Sequence, residues 1–157
     1  MESFAALLVS FGACYLFTGM IQPASAGYGA LWAAISGMVV LRARVDEAVH
    51  AAGTRILGTL VGALIGAAYL ALLPFNAAGL AAAGGLAVLT ALILRQPDQG
   101  RAAGITVLVV VVVDHLNPGL APGACALLRF CESAIGSGLA VAIAWLFAKV
   151  RIAAAQD

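Results

Sequence analysis

The sequence predicts an all-α membrane protein with six transmembrane helices, and three observations predict it. Of its 157 residues, 64% are apolar and only 10% are charged, where a soluble domain carries about 25% charged residues. The apolar residues fall into six runs parted by short polar or proline-containing turns, and a bilayer span takes roughly 20 of them. All but one of the eight Lys and Arg residues then fall on one side of a six-span layout, as the positive-inside rule requires. The whole chain, residues 1–157, reads as one six-helix domain.

The first span is expected at residues 4–21. Gln22-Pro23 ends it, and residues 24–27 make a turn. The N-terminus carries Glu2 and no basic residue, so the helix is expected to be retained rather than cleaved as a leader. The second span, residues 28–41, has a small-residue stripe at Gly29, Ala33 and Gly37. Tyr28 and Trp32 lie near its start, where interfacial aromatics are common.

Residues 42–54 are the most polar stretch, with Arg42, Arg44, Asp46, Glu47 and His50. Val45, Val49 and Ala52 fall at helical spacing within it. That suits a short helix on the membrane surface or a solvated extension of the second or third helix. The third span, residues 53–73, is stopped by Pro74, and the fourth, residues 77–94, is rich in Ala and Gly. Residues 95–101 form a polar turn with Pro97 and Gly100. The fifth span covers residues 102–116. Its segment 107–113 is nearly all valine and alone would suggest a strand. An unpaired strand edge is excluded from lipid, so a helix is expected. Residues 117–123, with two prolines, make a loop, and the sixth span runs over residues 124–150, ending in Lys149 and Arg151.

Arg42, Arg44 and Arg55 flank the second loop, Arg95 and Arg101 the fourth, and Lys149 and Arg151 the C-terminal end. With six spans, these regions and both termini share one side, expected to be cytoplasmic. Only Arg129 stands apart.

The chain is organised around residues 55–66, RILGTLVGALIG. Gly58, Gly62 and Gly66 recur every fourth residue and form one bare stripe on a helix, so a second helix backbone can approach closely. A weaker echo follows: Arg55, Thr59 and Gly62 match Arg129, Ser133 and Gly136 in spacing. Two three-helix repeats with odd span counts are inverted relative to each other, as in many transporters.

Near-zero net charge argues against nucleic acid as a partner. Cys14, Cys125 and Cys131 have neither an even count nor zinc-like spacing and read as apolar fillers. No nucleophile triad, phosphate loop or metal cluster is present, so an enzyme, a cofactor and a metal are not expected. Arg129 and Glu132 stand one helical turn apart. An ionisable residue at membrane depth is a functional candidate, and the alternative is an arginine that snorkels to the headgroups while neutralising a structural glutamate. In the functional reading Arg129 attracts an anion and Glu132 carries a proton. Asp114 and His115 close the fifth span and are candidates for proton relay, or are simply its polar end. Arg55 suits an anion at the inner mouth or a topology anchor, and Trp32 an aromatic substrate or an interfacial anchor.

The tryptophan-led span WAAISGMVVL, the basic loop, RILGTLVGALIG and the later RFCESAIG together resemble the fusaric acid resistance protein-like (FUSC) membrane proteins, a family that includes bacterial aromatic acid exporters. The resemblance covers residues 32–145 and is most specific at Arg55-Ile-Leu-Gly58-Thr59 with Gly62. It implies a six-helix unit of the bacterial inner membrane and efflux of aromatic carboxylic acids driven by the proton gradient. Arg55, Gly58, Thr59, Gly62 and Arg129 are the positions it carries over. Larger members hold a sizeable cytoplasmic domain, for which this chain has no room, so a homodimer is expected to enclose the path, with the glycine stripes as its surfaces. The competing expectation is an accessory or scaffold subunit that acts through its glycine stripes.

Overall fold

The computed structural model describes residues 2–42, 44–95, 97–116 and 119–154. Among them the chain is helical throughout, in the order α1 (Glu2–Ile21), a 3-10 turn (Pro23–Ser25), α2 (Ala26–Val40), α3 (Val45–Leu72), α4 (Ala77–Ile93), α5 (Pro97–Leu116) and α6 (Pro122–Ala154). The valine run 107–113 is helix, inside α5. Asn117 and Pro118 of the expected fifth loop, and Met1 and Asp157 at the chain ends, lie outside the described residues.

α1, α2 and α6 start two residues earlier than the sequence reading placed them, and α3 and α5 start earlier by five residues or more. α3 begins at Val45 rather than 53, so the polar stretch is mostly a solvated extension of the third helix. Asp46 and Glu47 sit in its first turn, where the helix dipole favours acidic groups, and Arg44 pairs with Asp46 at 3.0 Å. α5 begins at Pro97 rather than 102. Proline at the first helical position loses no hydrogen bond, because that N–H has no intrahelical acceptor. The turn before it is correspondingly tight: Arg95 adopts φ 56° and its N–H bonds Leu92 O at 2.9 Å, closing α4.

Among the described residues, four helices are long and apolar enough to cross a bilayer: Glu2–Ile21, Val45–Leu72, Pro97–Leu116 and Pro122–Ala153. α2 has 15 residues and α4 has 17. At 1.5 Å per residue these rise roughly 22 and 25 Å, short of a hydrocarbon core about 30 Å thick. Against the six spans expected, four of the six α-helices among the described residues have the length and apolar character of a span.

The distribution of side chains is that of a protein solvated by lipid. Phe4, Leu16, Met20, Leu72 and Ile93 are more than two-thirds exposed, while Ser10, Thr18, Ser36, Thr59, Thr106, Ser133 and Ser137 are fully buried. The largest fully buried side chains are Arg129 and Glu132. In water this arrangement would forfeit the hydrophobic driving force; in a bilayer, polar groups are sheltered inside.

The chain divides into two compact units, residues 1–53 with 132–157, and residues 54–131. The first contains α1, α2, the opening turns of α3 and most of α6. Its buried face on α1 is Ala6, Ser10, Cys14 and Thr18, small residues one turn apart. Val40, Ala52 and Ala140 form an apolar cluster with Leu41 and Val141. At the same end Glu2 pairs with Arg151 at 3.1 Å, and Arg42 closes α2 by donating to Val39 O and Leu41 O at 2.8 Å. The second unit contains the rest of α3, α4, α5 and the start of α6. Tyr69, Ala83, Ala87, Ala103, Val107 and Val111 form its main core.

Candidate functional site

In the first unit, α1, α2 and α6 meet along a seam of small and polar residues. The Thr18 hydroxyl donates to Glu132 Oε1 at 2.7 Å, with both residues fully buried. Cys14 Sγ lies 3.7 Å from the same hydroxyl, one turn along α1. Gly29 on α2 leaves the room for this bond: a Cβ there would meet both Glu132 Oε1 and Thr18 Oγ1 and would stand 2.8 Å from Glu132 Cδ. The helix therefore needs glycine at this position.

Two turns beyond Gly29 on α2, and next to Glu132 on α6, the Ser36 and Ser133 hydroxyls bond at 3.1 Å. Gly136 lies against the Ala33 carbonyl, which a Cβ would strike, and a Cβ at Gly37 would stand 3.0 Å from Ser10 Oγ. The α2 stripe seen in the sequence is thus spent on contact with α1 and α6. Ser10 and Ser137 hydroxyls are buried and have no hydrogen-bond partner among the described residues.

In the second unit the glycine stripe of α3 packs on α5. A Cβ at Gly58 would stand 2.7 Å from Gln99 O and Ala102 Cβ, and one at Gly62 would meet Ala103 O. At Gly66 the nearest atom is Val110 Cγ1, 3.1 Å away. Thr59 turns its hydroxyl back to Arg55 O at 2.7 Å, satisfying it within its own helix.

A family model described as fusaric acid resistance protein-like matches residues 13–143. The chain belongs to the fusaric acid resistance protein-like family. No curated protein and no solved structure shows significant similarity to it. The match to this family, with the apolar helices, makes the chain a multi-pass membrane protein and points to transport or resistance. The matched segment contains Thr18, Gly29, Trp32, Arg55, Asp114, His115, Arg129 and Glu132.

Among the residues singled out in this family member's sequence, Trp32, Glu132, Ser133 and Gly136 lie in the first unit and are buried. Arg55, Gly58, Thr59, Gly62, Gly66, Asp114, His115 and Arg129 lie in the second. Arg129 is fully buried, and Arg55 is 5% exposed. Asp114 is half-buried and His115 exposed. The His115 ring stacks on Phe75 with centroids 4.1 Å apart. Thr18, Gly29, Ser36, Ser10 and Ser137 were not singled out for chemistry from the sequence. A signal for the α1 members exists: Ser10, Cys14 and Thr18 recur every fourth residue through an otherwise apolar helix.

Proposed function

We propose that this member of the family is a secondary transporter of the bacterial inner membrane that couples efflux of small aromatic or other organic acids to the proton gradient. The observation that carries the reading is the buried Glu132 carboxyl, held by a hydroxyl from another helix. A carboxyl at membrane depth is costly unless it is used or neutralised. Glu132 takes up and releases the proton. Arg129, buried on the same helix, is the cation that a carboxylate substrate requires. Arg55 and Trp32 supply further anion and aromatic contacts, and Asp114 with His115 assists proton exchange.

In this reading all six helices cross the membrane, as two inverted three-helix repeats with both termini cytoplasmic. The common end of the first unit, with Arg42, Lys149 and Arg151, fits the cytoplasmic face. A homodimer completes the path. It uses surfaces other than the glycine stripes, which are filled by α5, α1 and α6. The filled stripes are equally closed to the homodimer and to the scaffold partner that the sequence reading placed on them.

The test is uptake into inside-out vesicles holding this protein alone, with an imposed proton gradient and a panel of labelled aromatic and aliphatic acids. Gradient-dependent accumulation of at least one aromatic acid is expected. Glu132→Gln should insert normally and accumulate none, whereas normal transport by that variant would remove the mechanism.

A further inference from the structure

The first unit holds more buried hydroxyls than its packing uses. Serine inside a helix ordinarily returns its hydroxyl to the carbonyl four residues back. Ser10 and Ser137 do not: both are fully buried, and neither has a hydrogen-bond partner among the described residues. Such groups are rare in folded proteins and mark bound water or a functional role. Their positions are ordered. Ser10, Cys14 and Thr18 lie on one face of α1, one turn apart, with Thr18 bonded to Glu132. Ser133 and Ser137 repeat the same step on α6, with Ser133 bonded to Ser36. Ser133 to Ser137 is roughly 6 Å along the helix and Ser10 to Thr18 roughly 12 Å, too long for a direct hydrogen bond and suited to one bridging water in the first case and a short file of them in the second.

We propose that these hydroxyls form a water-assisted proton relay between Glu132 and the basic end of the first unit, with Ser10 and Ser137 as its intermediate stations. The relay deepens the transport reading and rests on Glu132 carrying the proton. At each station the oxygen accepts a proton on a lone pair and passes its own proton to the next water, so no charge stays on serine. Val40, Ala52 and Ala140 close the seam beyond these stations. The relay therefore reaches the aqueous side when that apolar cluster parts.

The experiment is infrared spectroscopy of the full chain in lipid nanodiscs, using the proton and deuteron themselves as probes. The protonated carboxyl band that disappears in Glu132→Gln identifies the group. After a jump into heavy water, the rate at which that band shifts reports proton exchange at Glu132. The double variant Ser10→Ala with Ser137→Ala is expected to slow it by about a hundredfold, the lower end of what a positioned proton-transfer group contributes. Melting of the same variant should be unchanged or raised, because it removes two buried hydroxyls that lack partners. An unchanged exchange rate overturns the relay while leaving the transport reading intact. A spectrum with no Glu132 band at any pH overturns the transport mechanism itself, and the relay with it.

Discussion

The Thr18 hydroxyl on α1 donates to Glu132 Oε1 on α6 at 2.7 Å, and both groups are sealed from solvent. The bond ties the first helix of the chain to the last across 114 residues of sequence. Thr18→Val keeps the shape and removes the donor. Losing a partner of a buried polar group costs about 1–3 kcal/mol, so this variant should melt earlier in detergent than the parent. Thr18→Ser, which retains the hydroxyl, should recover most of that loss. Equal melting of the valine and serine variants would mean that Thr18 acts only by its volume.

Glycine contacts make a sharper contrast. Gly136 and Gly138 are two residues apart on α6, yet a Cβ at Gly136 would strike the Ala33 carbonyl while one at Gly138 meets nothing within 4 Å. Gly136→Ala should destabilise by about 1–3 kcal/mol, as overpacking does. Gly138→Ala should be neutral or stabilise by up to about 1 kcal/mol, the helix-propensity difference. Gly62→Ala should behave like Gly136→Ala, because its Cβ would meet the Ala103 carbonyl on α5. Thermal melting of the three variants side by side checks the ordering.

The turn between α3 and α4 depends on one phenol. The Tyr69 hydroxyl accepts from Asn76 N–H at 3.1 Å and lies 3.2 Å from both Pro74 O and Asn76 O, for either of which it is the donor. Asn76 in turn caps α4, its side chain accepting from Gly79 N–H at 2.7 Å. Tyr69→Phe keeps the ring in the main core of the second unit and strips the turn of its hub. A loss of about 1 kcal/mol is expected for the hydrogen bonding removed, together with faster amide exchange at residues 76–79. Unchanged exchange there would show that the cap holds the turn without the phenol.

The helices and their order were legible because apolar runs and prolines punctuate the chain, and Pro74 does end α3 two residues after Leu72. The start of α5 was not, because Pro97 reads equally as a breaker and as a first helical residue, and only the backbone decides. The glycine stripe was visible at Gly58, Gly62 and Gly66, but its partner was not, since any helix with a small face would fit it. Glu132 stood out as a charge in an apolar run. Thr18 did not, because threonine is common in membrane helices and its hydroxyl gains meaning only from a residue 114 positions away.

The lengths of α2 and α4 set the last test. Both are shorter than a typical hydrocarbon core, yet the six-span reading has them cross it, which they achieve by local thinning of the bilayer or by interfacial anchoring. If they cross, Ala24 and Asn76 face one side, while Arg44 and Arg95 face the other. Single cysteines at these four positions, in a background with Cys14, Cys125 and Cys131 replaced, report this directly. A membrane-impermeant maleimide added to sealed right-side-out vesicles should label Ala24→Cys and Asn76→Cys. Arg44→Cys and Arg95→Cys should label only after the vesicles are opened. Labelling of Ala24→Cys together with Arg44→Cys from one side, and of Asn76→Cys together with Arg95→Cys from the other, would leave α2 and α4 as helices that do not span while α3 still crosses. The positive-inside agreement would then need another origin, because it depends on an odd number of crossings between successive turns.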